Sequence, residues 1–513
     1  MKINTGKKQG VKNLTMNIAA FMIQFIISFY ISPTIVGKVG ASAYGFIGLA
    51  NDFVSYAAII SSVFNSVASR FIANAFYQKK YQEANHYFNS LIVANLIISG
   101  VMAGVSIVVV ANLQNFLSIP ENLIFDVKLT FALIFGSYII QLLSLVFTTS
   151  TFVTNRTDIQ GFRNIISYLI RFALIVVFLN FISIHIYWIS LATLIATIFI
   201  SVMNFNLTKK LTPELHINLK EAKKSYAFEL AKSGCWMAFT SISVILLRGL
   251  DLIVANIMLG DYEMGLLSIA RTMPNNITAI IGTITPLFTP VFIMLYSKNN
   301  TEGLIKNVKQ TIKTMALIMY VPVTGFIVFS YDFYSLWQKS LSKDEIMMIT
   351  ILSCITVLQA YFNSVTSTMA QLSVVTNKLK LPTLVSFGCG IVSLVIEFAL
   401  ILFTDLGLYS IVISTSVVMI LRYVFFNSIY AAYCLEKPKF IFLPSVLKTW
   451  VVIPVLIGTM VGIRCLIPIN SWLTFLFAVL IAAVLGYAEM SLFFGREIIN
   501  KLLKRLFKRG TKT

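Results

Sequence analysis

Residues 39–50 read VGASAYGFIGLA, and residues 259–270 read LGDYEMGLLSIA. Gly40, Gly45 and Ala50 of the first stretch recur as Gly260, Gly265 and Ala270 of the second. Both stretches carry a glycine at their second position, the residue that most readily turns a chain between two helices, and run on into apolar sequence. Three more matches follow in the same order. FYQKKYQEA (76–84) matches LYSKNNTEG (295–303), VTNR (153–156) matches VTNK (375–378), and RFALIV (171–176) matches EFALIL (397–402). Four matches in register, at an offset of about 220 residues, indicate an internal repeat.

The composition says what is repeated. Of 513 residues, 58% are hydrophobic and only 12% charged, whereas a soluble domain is roughly a quarter charged. Apolar segments long enough to cross a bilayer recur from residue 14 to residue 493, and fourteen can be separated. They lack the alternation of polar and apolar residues that a membrane barrel requires. The expected fold is therefore an all-α polytopic membrane protein. The basic start of the chain precedes an apolar run that extends to about Val36 with no small-residue cleavage site, which reads as a first permanent span. The repeat offset covers six helices, an even number, so the two copies share one orientation: two parallel six-helix repeats with two helices added. The expected organisation is an N-terminal lobe over 1–206, a linker over 207–227, a C-terminal lobe over 228–434, helices 13 and 14 over 435–493, and a tail over 494–513. In that tail Ile498, Ile499, Leu502, Leu503, Leu506 and Phe507 alternate with Lys and Arg, the pattern of a helix lying on an anionic leaflet.

The net charge of +20 points to membrane orientation and not to nucleic acid, because the basic residues gather in short connections. Lys38, Lys128, Lys339 and Lys343 alone fall in one alternate set of connections; six lie at or inside spans, and the rest lie in or beside the other set and the tails. That asymmetry places both termini in the cytoplasm. The five cysteines form no CxxC pair and His86, His185 and His216 share no ligand spacing, so neither a disulfide framework nor a metal site is expected. No cofactor is expected either. The connections are too short to carry the clustered acidic, Arg or His residues of a glycan polymerase, ligase or glycosyltransferase, so the chain reads as no enzyme. No ring-forming filter motif suggests a channel.

VGKVGASAYGFIGLANDF (36–53), its counterpart LDLIVANIMLGDYEMGLLSIA (250–270) and the repeated layout resemble the multidrug/oligosaccharidyl-lipid/polysaccharide (MOP) flippase superfamily, in its polysaccharide or O-antigen flippase branch. That resemblance implies a V-shaped pair of helical lobes around a cavity. It also implies transfer of an undecaprenyl-pyrophosphate-linked oligosaccharide from the inner to the outer leaflet of a bacterial cytoplasmic membrane, in lipopolysaccharide or exopolysaccharide export. Membrane lipids and polysaccharide polymerase machinery would be its partners. A multidrug cation antiporter of the same superfamily is the alternative. Lipid II itself fits less well, since Asn51-Asp52 stand where a basic residue would be wanted.

Moving a pyrophosphate and a glycan through hydrocarbon requires cations and hydrogen-bonding groups shielded from lipid. The candidate cavity cations are Arg248, Arg271 and Arg422; the candidate polar positions are Asn51, Asp52, Asn65, Gln141, Asn275, Gln359 and Asn363. Many such polar residues serve as helix–helix hydrogen bonds instead. Arg171 and Glu397 hold equivalent places in the two repeats, as a charge pair or as a point of coupling to an H⁺ or Na⁺ gradient. In LLRGLDLIVANIMLG (246–260) Arg248 and Asp251 are three residues apart, and one continuous helix would put them on one face, as a structural pair or a cationic wall. Lys232 and Arg464, near span ends, are expected to snorkel. Pro274, Pro286 and Pro290 should kink the eighth span.

Overall fold

The computed structural model describes residues 7–494, so the amphipathic tail expected over 494–513 lies, but for its first residue, outside the described residues. Among the described residues there is no strand, and fourteen helices are long and apolar enough to cross a membrane. The protein is a multi-pass helical membrane protein. The helices are α1 (Lys7–Lys38), α2 (Ala41–Tyr77), α3 (Tyr81–Phe116), α4 (Glu121–Val153), α5 (Thr157–Ile182), α6 (Tyr187–Leu211) and α7 (Lys224–Arg248). They continue with α8 (Asp261–Ser297), α9 (Thr301–Trp337), α10 (Lys343–Val375), α11 (Lys380–Phe403), α12 (Leu408–Cys434), α13 (Leu443–Leu466) and α14 (Trp472–Phe494).

The chain forms two compact units that meet in sequence at Ile269 and Ala270. In the first, α1 packs on α5, α4 on α6, and α2 on α3 and α7. The seventh helix thus packs with the first unit, although its place in the repeat had assigned it to the segment 228–434. Gly234 of α7 lies directly against the Val63 carbonyl of α2, with no room for a Cβ. Without a hydrophobic drive between helices in lipid, such close backbone approach is how membrane helices gain packing energy. In the second unit α9 is the central element, packed on α10, α13 and α14. Its buried tyrosine is satisfied in place: the Tyr320 hydroxyl meets Thr449 Oγ1 at 2.8 Å, and Thr324 Oγ1 meets the Tyr361 hydroxyl at 2.7 Å.

The repeat is visible in the turns. Gly40 and Gly260 both have positive φ, 110° and 126°, each donating its N–H to the carbonyl five residues back. Asn155 and Asn377 of VTNR and VTNK sit at φ 54° and 55°. At the α2–α3 turn Lys79 is left-handed (φ 60°), and its counterpart is Asn299 (φ 53°). The sequence match had paired Lys79 with Lys298, so the backbone corrects that register by one residue.

Two of the three α8 prolines mark a change of helix type, while Pro274 lies inside regular helix. The regular helix runs from Asp261 to Ile284, passes through one tighter 3-10 turn at Thr285–Phe288, and resumes at Thr289. Pro286 and Pro290 fall within that turn and just after it, where their missing N–H groups break the hydrogen-bond ladder.

Candidate functional site

α7 does not continue through LLRGLDLIVANIMLG. It ends at Arg248, Gly249 and Leu250 leave the helix, and a separate short helix runs over Asp251–Met258. The expectation of two charges on one face of one helix is therefore corrected: the cation closes one helix and the anion opens the next. This is the arrangement helix dipoles favour, a positive charge at a C-terminus and a negative one at an N-terminus, each contributing roughly 0.3–1 kcal/mol. A break inside a span frees backbone groups that hydrocarbon cannot satisfy. Here the Tyr56 hydroxyl of α2 donates to the Gly249 carbonyl. Arg248 and Asp251 both remain half-buried.

Three of the polar positions read from sequence come together in the first unit. Asn51, Gln141 and Arg171 line one cavity of about 120 Å³, with Ser137, Tyr138, Ser190, Thr193 and Thr197 and the apolar Ile47, Val54, Ile134 and Ile189. The cavity is bounded by α2, α4, α5 and α6. Asn51 and Gln141 are exposed at it while Ser190 is only 1% exposed. Asp52, the next residue along α2, does not line it. Most of the hydroxyls are already committed: Ser137 donates to the Leu133 carbonyl at 2.8 Å, Thr193 to Ile189 at 2.8 Å and Thr197 to Thr193 at 2.8 Å. Tyr138 meets Ser61 Oγ at 2.7 Å, and the Asn51 amide turns back to the Ile47 carbonyl at 2.7 Å. Asn65 takes no part. Its amide donates to Asn95 Oδ1 at 2.9 Å and to the Ser61 carbonyl at 2.9 Å, a helix–helix bond between α2 and α3.

The second unit holds the other candidates. Arg271 is half-buried early in α8, next to an Ala270 carbonyl that accepts from Ser353 Oγ at 2.7 Å and from the Tyr334 hydroxyl at 3.4 Å. Asn275, one turn further, is exposed. Gln359 is buried and Asn363 half-buried one turn apart on α10. Glu397 is buried in α11, at 1% exposure. Arg422 is half-buried where α12 relaxes into a wider π turn over Arg422–Asn427, a local irregularity that often accompanies functional sites. Arg464 lies near the end of α13. It pairs with Asp332 of α9, Nε to Oδ2 at 2.6 Å.

Sequence reasoning missed one polar structure altogether. Along α3, the run NHYFNS (85–90) grips the connection between α6 and α7. Asn85 donates to the Glu214 carbonyl at 2.8 Å and accepts from the His216 N–H at 3.0 Å; Asn89 donates to the His216 carbonyl at 3.0 Å and accepts from the Asn218 N–H at 2.8 Å. His86 Nδ1 meets the Glu221 carbonyl at 2.8 Å, and Ser90 exchanges hydrogen bonds with the Lys223 backbone at 2.9 and 3.1 Å. Two asparagines four residues apart were the available signal. Among the described residues no group of three or more His, Cys, Asp or Glu could hold a metal ion.

The site residues thus lie in a polytopic helical protein that keeps arginines within or at the ends of apolar helices and repeats its turns in two halves. The chain belongs to the family described as "Polysaccharide biosynthesis protein", which it matches over residues 39–338. It is 25% identical over 464 residues, 90% of each chain, to the uncharacterized membrane protein EpsK of Bacillus subtilis (strain 168). Two solved structures share the fold. One is an inward-facing multidrug resistance MATE family transporter of the MOP superfamily (TM-score 0.68, 14% identity, 82% of this chain and 99% of that one). The other is the lipid II flippase MurJ in an inward closed conformation (TM-score 0.68, 14% identity, 94% and 99%).

Proposed function

We propose that this flippase moves an undecaprenyl-pyrophosphate-linked oligosaccharide from the inner to the outer leaflet of a bacterial cytoplasmic membrane, by alternating access, for surface polysaccharide export. Its termini lie in the cytoplasm, on the side where basic connections gather. The carrying observation is the retention of Arg248, Arg271 and Arg422, each half-buried, within or at the ends of apolar helices. A cation carried into the hydrocarbon layer costs roughly 3 kcal/mol or more; an anionic cargo supplies the return. The polysaccharide family match supports a glycan on that cargo. A multidrug exporter of cationic compounds would meet like charge at the same arginines. Coupling to a proton or Na⁺ gradient enters through the buried Glu397, and the product passes to polymerase machinery outside.

The test is reconstitution in liposomes with labelled undecaprenyl-pyrophosphate oligosaccharides. Faster appearance of label outside than in empty liposomes is the expected result, with Arg248→Ala slowing it more than it lowers stability. No acceleration with any of several glycans would overturn the proposal.

A further inference from the structure

The cavity of the first unit carries chemistry that the transport reading does not use. Arg171 is the single charged residue lining it, and no carboxylate faces it from α2, α4, α5 or α6. The buried Arg171 Nε has no hydrogen-bond partner, and neither has the buried Ser190 Oγ on the adjacent helix. The Gln141 side chain, also in the lining, makes no hydrogen bond among the described residues. The neighbouring threonines and Ser137 have already spent their protons on carbonyls one turn back. What remains uncommitted is therefore a guanidinium, a hydroxyl and an amide, and all three can donate. Buried polar groups are normally satisfied, and an orphaned charged donor within a membrane is costly. The complement of such a set is an anion.

Size narrows the class. A water needs roughly 10–15 Å³ of such free space, so about 120 Å³ holds a halide and several waters and is far too small for an oligosaccharide. We propose that the cavity lined by Arg171, Ser190 and Gln141 is a binding site for a small inorganic anion, chloride in the cell, separate from the path of the cargo. The anion neutralises Arg171 and accepts from the Ser190 hydroxyl and the Gln141 amide. The second repeat carries the acidic Glu397 at the equivalent place, so the two repeats place charges of opposite sign there.

The experiment uses the purified full-length protein in detergent, without any cargo lipid, so its outcome stands apart from the flipping assay. Thermal unfolding is followed while sodium gluconate is replaced by sodium chloride or bromide at constant ionic strength. A saturable rise in Tm of a few degrees is expected, since a ligand that binds only the folded state stabilises it by mass action. Ser190→Ala should weaken halide affinity roughly tenfold, the size of one hydrogen bond to a charged group. Arg171→Gln should abolish the halide response and raise Tm in gluconate, because it removes a buried charge that gluconate leaves uncompensated. A purely structural role for Arg171 predicts the opposite, a lower Tm in every salt. Identical titrations in halide and gluconate, or an undiminished halide response in Arg171→Gln, would overturn the proposal.

Discussion

Replacing Asn89 by Ala should release the connection between α6 and α7 without unfolding the protein. Asn89 is fully buried, at 0% exposure, and makes one hydrogen bond to the His216 carbonyl and one from the Asn218 N–H. Each is worth about 1 kcal/mol net, so the local closed state loses about 2 kcal/mol. At 1.4 kcal/mol per factor of ten the opening equilibrium should rise about thirtyfold. Amide hydrogen exchange read by mass spectrometry on the reconstituted protein measures it. Exchange at Asn218 should accelerate by about that factor, exchange at Lys223 should follow less strongly because Ser90 still holds it, and α9 should be unaffected. Asn112→Ala is the control, since that amide bonds only within its own helix, donating to the Val108 carbonyl and accepting from Asn115. If the Asn218 amide exchanges at the wild-type rate, the side-chain clasp does not hold the connection and the reasoning fails.

Four further outcomes follow from the same geometry. Tyr56→Phe removes the donor on the Gly249 carbonyl and should cost about 1–3 kcal/mol by leaving it unsatisfied; an unchanged Tm would mean that the break is satisfied otherwise. Gly234→Leu forces a side chain into the Val63 carbonyl and should separate α7 from α2, giving poor yield and a Tm lower by several degrees; wild-type Tm would contradict the packing. Glu397→Gln should abolish gradient-dependent flipping while leaving any gradient-independent rate, and full gradient dependence would remove Glu397 from coupling. The His216 imidazole hydrogen-bonded to Glu221, with help from Asn218, holds that carboxyl below the usual range. A depressed carboxyl adds stability above its ordinary pKa and loses it as pH falls through the lowered one. Amide protection at Glu221 and Ala222 should therefore hold at neutral pH and fall progressively as pH drops from the ordinary carboxylate range through the lowered one, and loss already at mildly acidic pH, above that range, would refute that role.

The spans and the repeat were legible because their signal is local: length, hydropathy and a glycine or asparagine where the turn needs a positive φ. Even the one-residue slip at Lys79 has a local cause, because FYQKKYQEA and LYSKNNTEG match in side chains one register away from their matching turns. The break after Arg248 was not legible. LLRGLDLIVAN keeps its apolar character straight through Gly249, and the group that makes the break tolerable, Tyr56, lies 193 residues away in sequence. The cavity was half legible. Asn51, Gln141 and Arg171 stand out as polar residues in apolar spans. Ser190 does not, since a serine in a membrane helix ordinarily bonds to its own backbone, and only the structure shows that this one has no partner. The Arg464–Asp332 pair joins residues of α13 and α9, and no spacing rule connects them.

The place of α7 follows from these contacts taken together. By sequence order it opens the second repeat, yet three independent features fix it and its approach to the first unit. Gly234 brings its backbone onto Val63, Tyr56 holds the end of the helix at Gly249, and the α3 asparagines bind the connection that leads into it. Each uses a different kind of contact, so neither Tyr56→Phe nor Asn89→Ala alone should free the helix, whereas combining the two should free both its ends. The chemistry follows the packing. With α7 in place the first unit carries Arg171 in its cavity and Arg248 at a helix terminus, while Arg271, Arg422 and Glu397 belong to the second. A repeat that doubled the scaffold has therefore not doubled the charges. The asymmetry of the protein lies in which unit carries which charge, more than in the helices that the two copies share.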